Sequence, residues 1–520
     1  MNRNGRNLMK KFFCIPLVMC AALCVHAQLA AQRPITLVDS VHEYDFNPHT
    51  ASYTYDAQIL NGLYEGLFTC DPATLSPTNA LCVSYKVSRD KKRWTFTLRS
   101  DACFSDGTPI TANDVRESWL GLLETPYAPY ASLLDCIAGA REFREGTGKE
   151  QDVKIDARSN TTLVVRLTQP TAHLPSILCH HAFSVLGPEA GVYSGPYCLE
   201  SYEDGKLVLE KNDFYYDASS VHIPQIIILQ SDDSEQNTYL LNTGKADWLL
   251  GDSSFDSYSV LNLDTLHLGS SFATQFLFFK TNNEPWNETD VRNALLEAIP
   301  YDVLRKDNYI KATTLVYPLN GYPTVTGIDD YDLEDAKALM SEARERLGIA
   351  QDEILPLVFA INGSDYMKSL AEVLHDAWEP LGVELSVQVT PIERYYSSID
   401  GWNADLFSYS WVGDFADPLA FLELFRSASS LNVGHYHNAE YDALLDQAAS
   451  ADTSEERYKL LAKAEQLLLD EGMIIPVSHP VTLHAIDCEE IGGWTLNPFD
   501  VHPLKYLFIK KKQLNIPNVV

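Results

Sequence analysis

The sequence predicts an α/β or α+β protein with more than one lobe. Its 520 residues exceed what a single hydrophobic core organises, so two or three lobes are expected. Strand-like runs dominate up to about residue 280, and amphipathic helices become frequent from Asp290 onward. Strands alternate with helices in this second part, which favours an α/β lobe whose strand ends face a cleft.

The clearest local pattern lies in residues 94–119. Residues 94–99 alternate apolar and polar side chains, as a half-buried strand does. Residues 105–109 read Ser-Asp-Gly-Thr-Pro, which is turn chemistry. Thr111 is a natural helix N-cap, and Asp114 three residues later completes a capping box. The segment therefore predicts a strand, a tight turn and a capped helix.

Other elements follow from hydrophobic periodicity. Apolar and β-branched runs predict strands at 163–167, 207–210, 226–229, 355–360, 383–389 and 406–410. Helical spacing of apolar residues predicts helices at 332–347, 369–381 and 454–469.

The first residues indicate export. Basic side chains precede an uncharged apolar run, 12–25, that is short for a bilayer span and ends in small residues. We therefore expect a signal peptide over 1–27 and a periplasmic protein. Lipid attachment at Cys20 or Cys24 stays open, although neither has a small residue before it.

Charge and cysteine content limit the classes of partner and cofactor. The net charge of −32 becomes −36 when residues 1–27, with four basic and no acidic side chains, are removed. Such a surface repels phosphates and no basic stripe offsets it, which excludes nucleic acid as a partner. Seven cysteines follow residue 27 with no C-x-x-C pair, so neither a zinc ribbon nor a thioredoxin-type site is indicated.

Ordered motifs along the mature chain resemble those of solute-binding protein family 5, the periplasmic oligopeptide- and dipeptide-binding proteins of ABC transporters. The matching motifs are in residues 61–67, 94–119, 195–197, 207–216, 291–294, 331–339, 438–442 and 474–476. The resemblance implies the two-lobed periplasmic-binding-protein fold (type II, large cluster) with an extra domain in the first lobe. It also implies the domain limits: lobe I from 34–65, 192–283 and 487–512, the extra domain at 66–191, and lobe II at 284–486.

The same resemblance implies the function. The protein is expected to capture short peptides between its lobes and deliver them to membrane permease subunits of an ABC transporter. It would act as a monomer, without a cofactor and without a chemical step, so it is not an enzyme. Lobe closure around the ligand would be the mechanism.

The resemblance also implies site residues after the strand 406–410. Asp414 matches an Asp that pairs with the free α-ammonium of a peptide, and a carboxylate is the partner a buried ammonium needs. The backbone of Tyr409 to Gly413 would pair with an extended peptide, and Trp411 would form the wall of a side-chain pocket. Without the resemblance, the sequence favours Asp414 as a residue that only caps a turn, because Asp is common in turns.

Further contacts are expected from the first half of the chain. Ser52, Tyr53 and Thr54 occupy the place where the backbone of the first lobe meets the ligand. Tyr130 matches a ring that contacts bound peptide, though it could equally be a packed aromatic. Position 408, an Arg in the oligopeptide-binding protein, is Ser here, which puts recognition of the ligand carboxylate in doubt.

Three alternatives remain. Within the fold, the ligand could be a nickel chelate, a sugar oligomer or another non-peptide solute. His435 and His437 form an H-x-H pair whose imidazoles would share one face of a strand, but no third metal ligand is evident, and we predict no metal site. An exported hydrolase or chaperone is the third, and no nucleophile motif supports the hydrolase.

Overall fold

The computed structural model describes residues 33–251, 253–390, 402–429 and 431–510. The predicted signal peptide lies outside these residues. Among the described residues, no helix combines the length and the apolar character that crossing a bilayer requires.

Strands and helices alternate along the chain and confirm the α/β class. The strands are β1 Ile35–Asp39, β2 Phe68–Cys70, β3 Pro77–Asn79, β4 Cys82–Val87, β5 Arg93–Leu98, β6 Ile155–Ser159, β7 Thr162–Arg166, β8 Tyr197–Glu203, β9 Lys206–Lys211, β10 Gln225–Gln230, β11 Trp248–Leu249, β12 Leu266–Ser270, β13 Ala273–Phe279, β14 Leu355–Ile361, β15 Val383–Val389, β16 Leu406–Val412, β17 Ile474–Ser478, β18 Val481–Ile486, β19 Ile491–Gly492 and β20 Phe508–Ile509. The helices are α1 Thr54–Leu63, α2 Ala112–Glu124, α3 Ala140–Arg144, α4 Leu174–Ile177, α5 Ser234–Asn242, α6 Thr289–Glu297, α7 Tyr301–Leu304, α8 Leu333–Leu347, α9 Asp365–Trp378, α10 Leu419–Leu422, α11 Ala439–Ser450 and α12 Ser454–Asp470.

A seven-stranded sheet forms the centre of the first lobe, in the order β12-β18-β11-β1-β10-β9-β8. Strand β1 is central and parallel to both neighbours, with Leu37 opposite Ile228 on β10 and Trp248 on β11. These three side chains are almost fully buried, as expected for a strand with neighbours on both edges.

A five-stranded sheet in the order β15-β14-β16-β13-β17 forms the second lobe. Parallel β14 and β15 are joined through α9, whose apolar face packs on the sheet. Strand β16 pairs with β13 along its whole length and with β14 at Leu406, so its carboxyl end is held by one neighbour in the sheet. This end carries the residues from which the ligand site was predicted.

A four-stranded antiparallel sheet, β4-β5-β7-β6, is formed within residues 66–191. The predicted strand and capped helix are present here as β5 and α2, and the backbone N–H of Thr111 donates to the Asp114 carboxylate at 2.6 Å. One hydrophobic cluster continues from this region into residues of the second lobe, including Phe421. The inserted region therefore packs against the second lobe as well as the first.

The predicted limits of the lobes do not coincide with the sheets at two points. Strand β13 lies in the second sheet, although the predicted limit at 283 assigns it to lobe I. Strand β18 lies in the first sheet, although the predicted limit at 486 assigns it to lobe II. The chain therefore crosses between sheets at 270–273 and at 478–481.

Candidate functional site

A cavity of about 300 Å³ lies where the two lobes and the inserted region meet. Its lining comes from five stretches of sequence: residues 52–61, 69–75, 176–181, 412–415 and 497–503, together with Tyr130. Clefts between domains that combine apolar walls with a few polar groups are the usual place for a small ligand.

The first wall is the segment that leads into α1. Ser52, Tyr53 and Thr54 all line the cavity, after a turn in which the backbone N–H of Thr50 donates to the carbonyl of Asn47 at 3.1 Å. Tyr53 is 61% exposed and its ring stacks on that of Tyr55 with centroids 5.0 Å apart. A ring held in this way presents a flat apolar surface to a ligand.

Tyr130 and two histidines form the second wall. The Tyr130 hydroxyl donates to the Ser52 carbonyl at 3.3 Å, and its ring lies on His180 with centroids 4.0 Å apart. Burial lowers the pKa of His181 to about 4 and also lowers the pKa of His180 well below its ordinary value, which keeps both imidazoles neutral near pH 7. This wall therefore offers aromatic surface and neutral polar groups rather than charge.

The end of β16 forms the third wall through Val412, Gly413 and Asp414. The backbone N–H of Gly413 donates to the Phe272 carbonyl at 2.8 Å, which brings the strand against the Phe272 ring. A Cβ at position 413 would lie 2.3 Å from a carbon of that ring, so only glycine fits. Glycine thus allows the close approach that turns Asp414 into the cavity.

Asp414 is a half-buried carboxyl without a counter-ion. Desolvation raises its pKa from 3.8 to about 7. In the part of the chain that the structure describes, no group donates a hydrogen bond to its carboxylate and no cation pairs with it. The neighbouring Asp417, in contrast, accepts from the Leu419 backbone N–H at 2.9 Å and pairs with buried Arg457. Capping of the next helix therefore falls to Asp417, and the Asp414 carboxyl faces the cavity.

Tyr409 and Trp411 are not among the residues that line the cavity. Both side chains point to the other face of β16: the Tyr409 ring packs on Phe278 with centroids 4.9 Å apart, and the Trp411 indole donates to the Ala420 carbonyl at 2.8 Å. Ser408, at the position where the oligopeptide-binding protein has an Arg, is buried in the strand.

The charge on the cavity wall has one source. Of the described residues that line it, Asp414 alone carries a formal charge, and none is Lys or Arg. The site is therefore suited to a ligand that brings its own positive charge to one point. A ligand carboxylate would have no cation from these residues to pair with.

Two histidine groups contain candidate metal ligands. His435 and His437 are exposed and precede α11 in irregular structure, so the prediction that they share a strand face is wrong. His484, Asp500 and His502 lie together elsewhere in the first lobe, with His484 Nε2 2.6 Å from the Asp500 carboxylate. Trp248 donates its indole N–H to His484 Nδ1, so Nε2 carries the proton that Asp500 accepts and has no free lone pair for a metal.

Several lining residues were not predicted from the sequence. His180 and His181 join the predicted Tyr130 in the second wall, and their adjacency in the sequence was the one signal that could have indicated them. Asn497, Phe499 and Val501 enter the cavity from the C-terminal part of the chain, and nothing in their local pattern indicates it.

Two lobes around a cleft lined by a strand end and a helix start define the class of periplasmic solute receptors. The chain matches the family described as bacterial extracellular solute-binding proteins, family 5 middle, over residues 76–432. This match spans more than half of the chain, so the protein belongs to that family.

Relatives and solved structures agree with this placement. The chain is 27% identical to the periplasmic oligopeptide-binding protein OppA of Escherichia coli (97% of this chain, 99% of the relative) and 26% identical to the dipeptide-binding protein DppE of Bacillus subtilis (92% of each). The unliganded open form of the murein tripeptide-binding protein MppA superposes with a TM-score of 0.77 at 24% identity, over 92% of this chain and 98% of that one. OppA of Haemophilus influenzae in complex with RPPGFSPFR superposes with a TM-score of 0.73 at 22% identity, over 93% and 100%. These structures confirm the two-lobed periplasmic-binding-protein fold.

Proposed function

We propose that the protein is an extracytoplasmic receptor that captures short peptides in the cavity between its lobes and delivers them to the permease of an ABC transporter. Relatives over most of its length are named oligopeptide- or dipeptide-binding proteins, and a peptide complex is known for a protein of the same fold. The role is binding and release without a chemical step.

The carboxyl of Asp414 is the observation that carries this proposal. An unpaired carboxyl inside a cavity is costly to ionise, which its raised pKa reflects. A peptide that enters with its free α-ammonium next to Asp414 supplies the missing counter-ion and regains charge-assisted hydrogen bonds. Affinity and selection of the free amino end would thus come from one contact.

The rest of the peptide would be held by groups that do not read side chains. Residues 52–54 and 412–413 line the cavity, and we expect backbone groups in these two segments to pair with an extended chain. Tyr130 adds an aromatic surface. Tyr409 and Trp411 contribute from the reverse face of β16, where their packing fixes the strand that carries Asp414. Such a site favours broad side-chain specificity.

The ligand carboxylate has no counterpart in this scheme. Since no Lys or Arg is found among the described lining residues, the C-terminal end of a peptide would not be fixed at a set distance from Asp414. We therefore expect peptides of several lengths to bind, and C-terminal amidation to change affinity little.

Closure would join the inserted region to the second lobe. Arg457 reaches His173 at 3.2 Å while it pairs with Asp417, and Lys91 donates to the Ala451 carbonyl at 2.9 Å. These contacts join the inserted region to residues of the second lobe, and we expect them to break when the cleft opens. The crossings at 270–273 and 478–481 would serve as hinges, and the receptor would act as a monomer.

A non-peptide amine is the competing ligand, because a single carboxyl in an apolar cavity suits any ammonium. One relative, 26% identical, is named a probable deoxycholate-binding periplasmic protein, so the ligand varies among relatives. An anionic solute of that kind would meet Asp414 and no cation among the described lining residues.

Native mass spectrometry on protein purified from the exported fraction, without refolding, tests the proposal. We expect a series of added masses that fragment into short peptides. A single non-peptide adduct would overturn the peptide assignment. Protein without adducts is then titrated calorimetrically with a tripeptide and with its N-acetylated form. The proposal is supported if the free-amino form binds and the acetylated form does not, and it is refuted if neither form binds.

A further inference from the structure

Two cysteines far apart in sequence meet on the cavity wall. Strand β2 ends at Cys70, and Cys179 lies in the turn after α4. The two segments run side by side: the backbone N–H of Val185 donates to the Glu65 carbonyl at 2.9 Å, and a Cβ at Gly66 would lie 3.4 Å from the Leu178 carbonyl oxygen. Helix α4 also contacts β2, and both cysteines line the same cavity, so the fold brings the end of β2 close to the turn after α4.

The thiols themselves interact. Both cysteines line the cavity and are half-buried, so small reagents can reach them. Hydrogen bonding with the Cys70 thiol, together with burial, raises the pKa of the Cys179 thiol well above its ordinary value. The Cys179 sulfur also lies 3.3 Å from the Pro175 carbonyl oxygen.

The other cysteines have different neighbours. Cys82 and Cys136 direct their sulfurs to the backbone carbonyls of Ser84 and Leu133. Among the cysteines that the structure describes, Cys70 and Cys179 are the pair in which one thiol hydrogen-bonds with another.

We propose that Cys70 and Cys179 form a reversible disulfide that links β2 to the turn after α4 in the wall of the ligand cavity. The oxidant is a low-molecular-weight disulfide such as oxidised glutathione. One cysteine thiolate attacks a glutathione sulfur and releases the first glutathione; the second cysteine attacks the mixed disulfide and releases the other. Two protein thiols and one glutathione disulfide thus become one protein disulfide and two glutathione thiols.

The link would restrain the second wall of the cavity. Cys179 is followed by His180 and His181, and the Tyr130 ring rests on His180. Oxidation would therefore hold these rings at a fixed distance from β2, whereas reduction would let the turn move. The inference concerns the protein itself and holds whichever solute the cavity binds.

Peptide mapping under non-reducing conditions tests the pairing. Exported protein is reduced, freed of reductant, incubated with oxidised glutathione, then denatured and alkylated. We expect the number of alkylated thiols to fall by two from the seven after residue 27. One cross-linked peptide pair should contain Cys70 and Cys179. Glutathione adducts without a cross-link, a different pair, or seven alkylated thiols would each overturn the proposal.

Variants separate a specific pair from general thiol reactivity. Cys70→Ser and Cys179→Ser should each abolish the cross-link and leave the partner cysteine able to carry one glutathione. Cys488→Ser, which removes a half-buried cysteine away from the cavity, should retain it. If a serine variant fails to fold, the wild-type map alone decides. An oxidised protein that melts at the same temperature as the reduced one would refute the restraint but not the pairing.

Discussion

Replacing Asp414 by Asn should weaken peptide binding and stabilise the free protein. The amide keeps the shape of the side chain and removes its charge. A buried ammonium that loses its carboxylate partner typically costs about 2–5 kcal/mol, or roughly 30- to 4,000-fold in Kd. We expect a loss in this range for peptides with a free amino end and little further loss when those peptides are N-acetylated.

The stability of the unliganded protein should change in the opposite direction. The folded-state pKa of Asp414 is raised from 3.8 to about 7, so ionisation is harder in the folded than in the unfolded chain. Stability is therefore lost as the pH rises from about 4 through 7. At about 1.4 kcal/mol per pKa unit the penalty has an upper bound on the order of 4 kcal/mol above pH 7. Asp414→Asn removes it, so its melting temperature should exceed that of the wild type at pH 8 and approach it near pH 4.

Calorimetric titration and thermal unfolding on one protein preparation measure both effects. Asp213→Asn is the matched control, because Asp213 is an exposed turn residue that does not line the cavity. It should leave affinity and melting temperature near the wild-type values. An Asp414→Asn protein that binds a free-amino peptide within threefold of the wild type would refute the anchor. One that loses binding and stability together would show that Asp414 is structural instead.

Three further predictions concern the walls of the cavity and its support. Tyr130→Phe should weaken peptide binding by less than about 1 kcal/mol because it removes a single long hydrogen bond, whereas Tyr130→Ala should weaken it more by removing the ring; calorimetry distinguishes them. Glu65→Gln leaves the buried Lys505 ammonium, 2.9 Å from the Glu65 carboxylate, without its counter-ion. The free energy of unfolding, measured in urea, should fall by about 3–5 kcal/mol, and the double variant Glu65→Gln/Lys505→Met should regain much of that loss. Gly413→Ala should cost about 1–3 kcal/mol and impair binding because the new methyl collides with the Phe272 ring, and unchanged affinity would contradict this.

Local patterns predicted the elements well because they are set by neighbouring residues. The capping box at Thr111 and Asp114 acts within one helical turn, and α2 begins where it predicts. Helix α9 begins at Asp365, four residues before the predicted start at 369, because the Ser364 hydroxyl accepts from the Met367 backbone N–H at 3.2 Å. This cap was present in the sequence and was missed.

The period of a strand predicted which residues share a face but not which face lines the cavity. Tyr409 and Trp411 alternate along β16, so one face carries both. The orientation of this face away from the cavity is set by β13 and α10, because Phe278 and Ala420 contact these two side chains. Phe278 and Tyr409 are more than a hundred positions apart in the sequence, and no spacing rule predicts such a contact. Residues 497–503 were missed for the same reason.

The raised pKa of Asp414 also depends on packing, and it gives binding a pH dependence that sequence could not predict. A free peptide α-ammonium has a pKa of about 7.7–8.0, so the charged forms of both partners coexist best between about 7 and 8. On the acid side, affinity should fall by up to about tenfold per pH unit as Asp414 takes up its proton. Above pH 8 it should fall again, because the ligand ammonium loses its proton. His181, with a pKa of about 4, does not contribute between pH 5 and 7. Asp56, with a pKa of about 6, lies outside the cavity lining. Asp414→Asn should abolish both limbs, because without the carboxylate the charge of the ligand ammonium no longer contributes to binding. An acid limb that persists in this variant would assign it to another group.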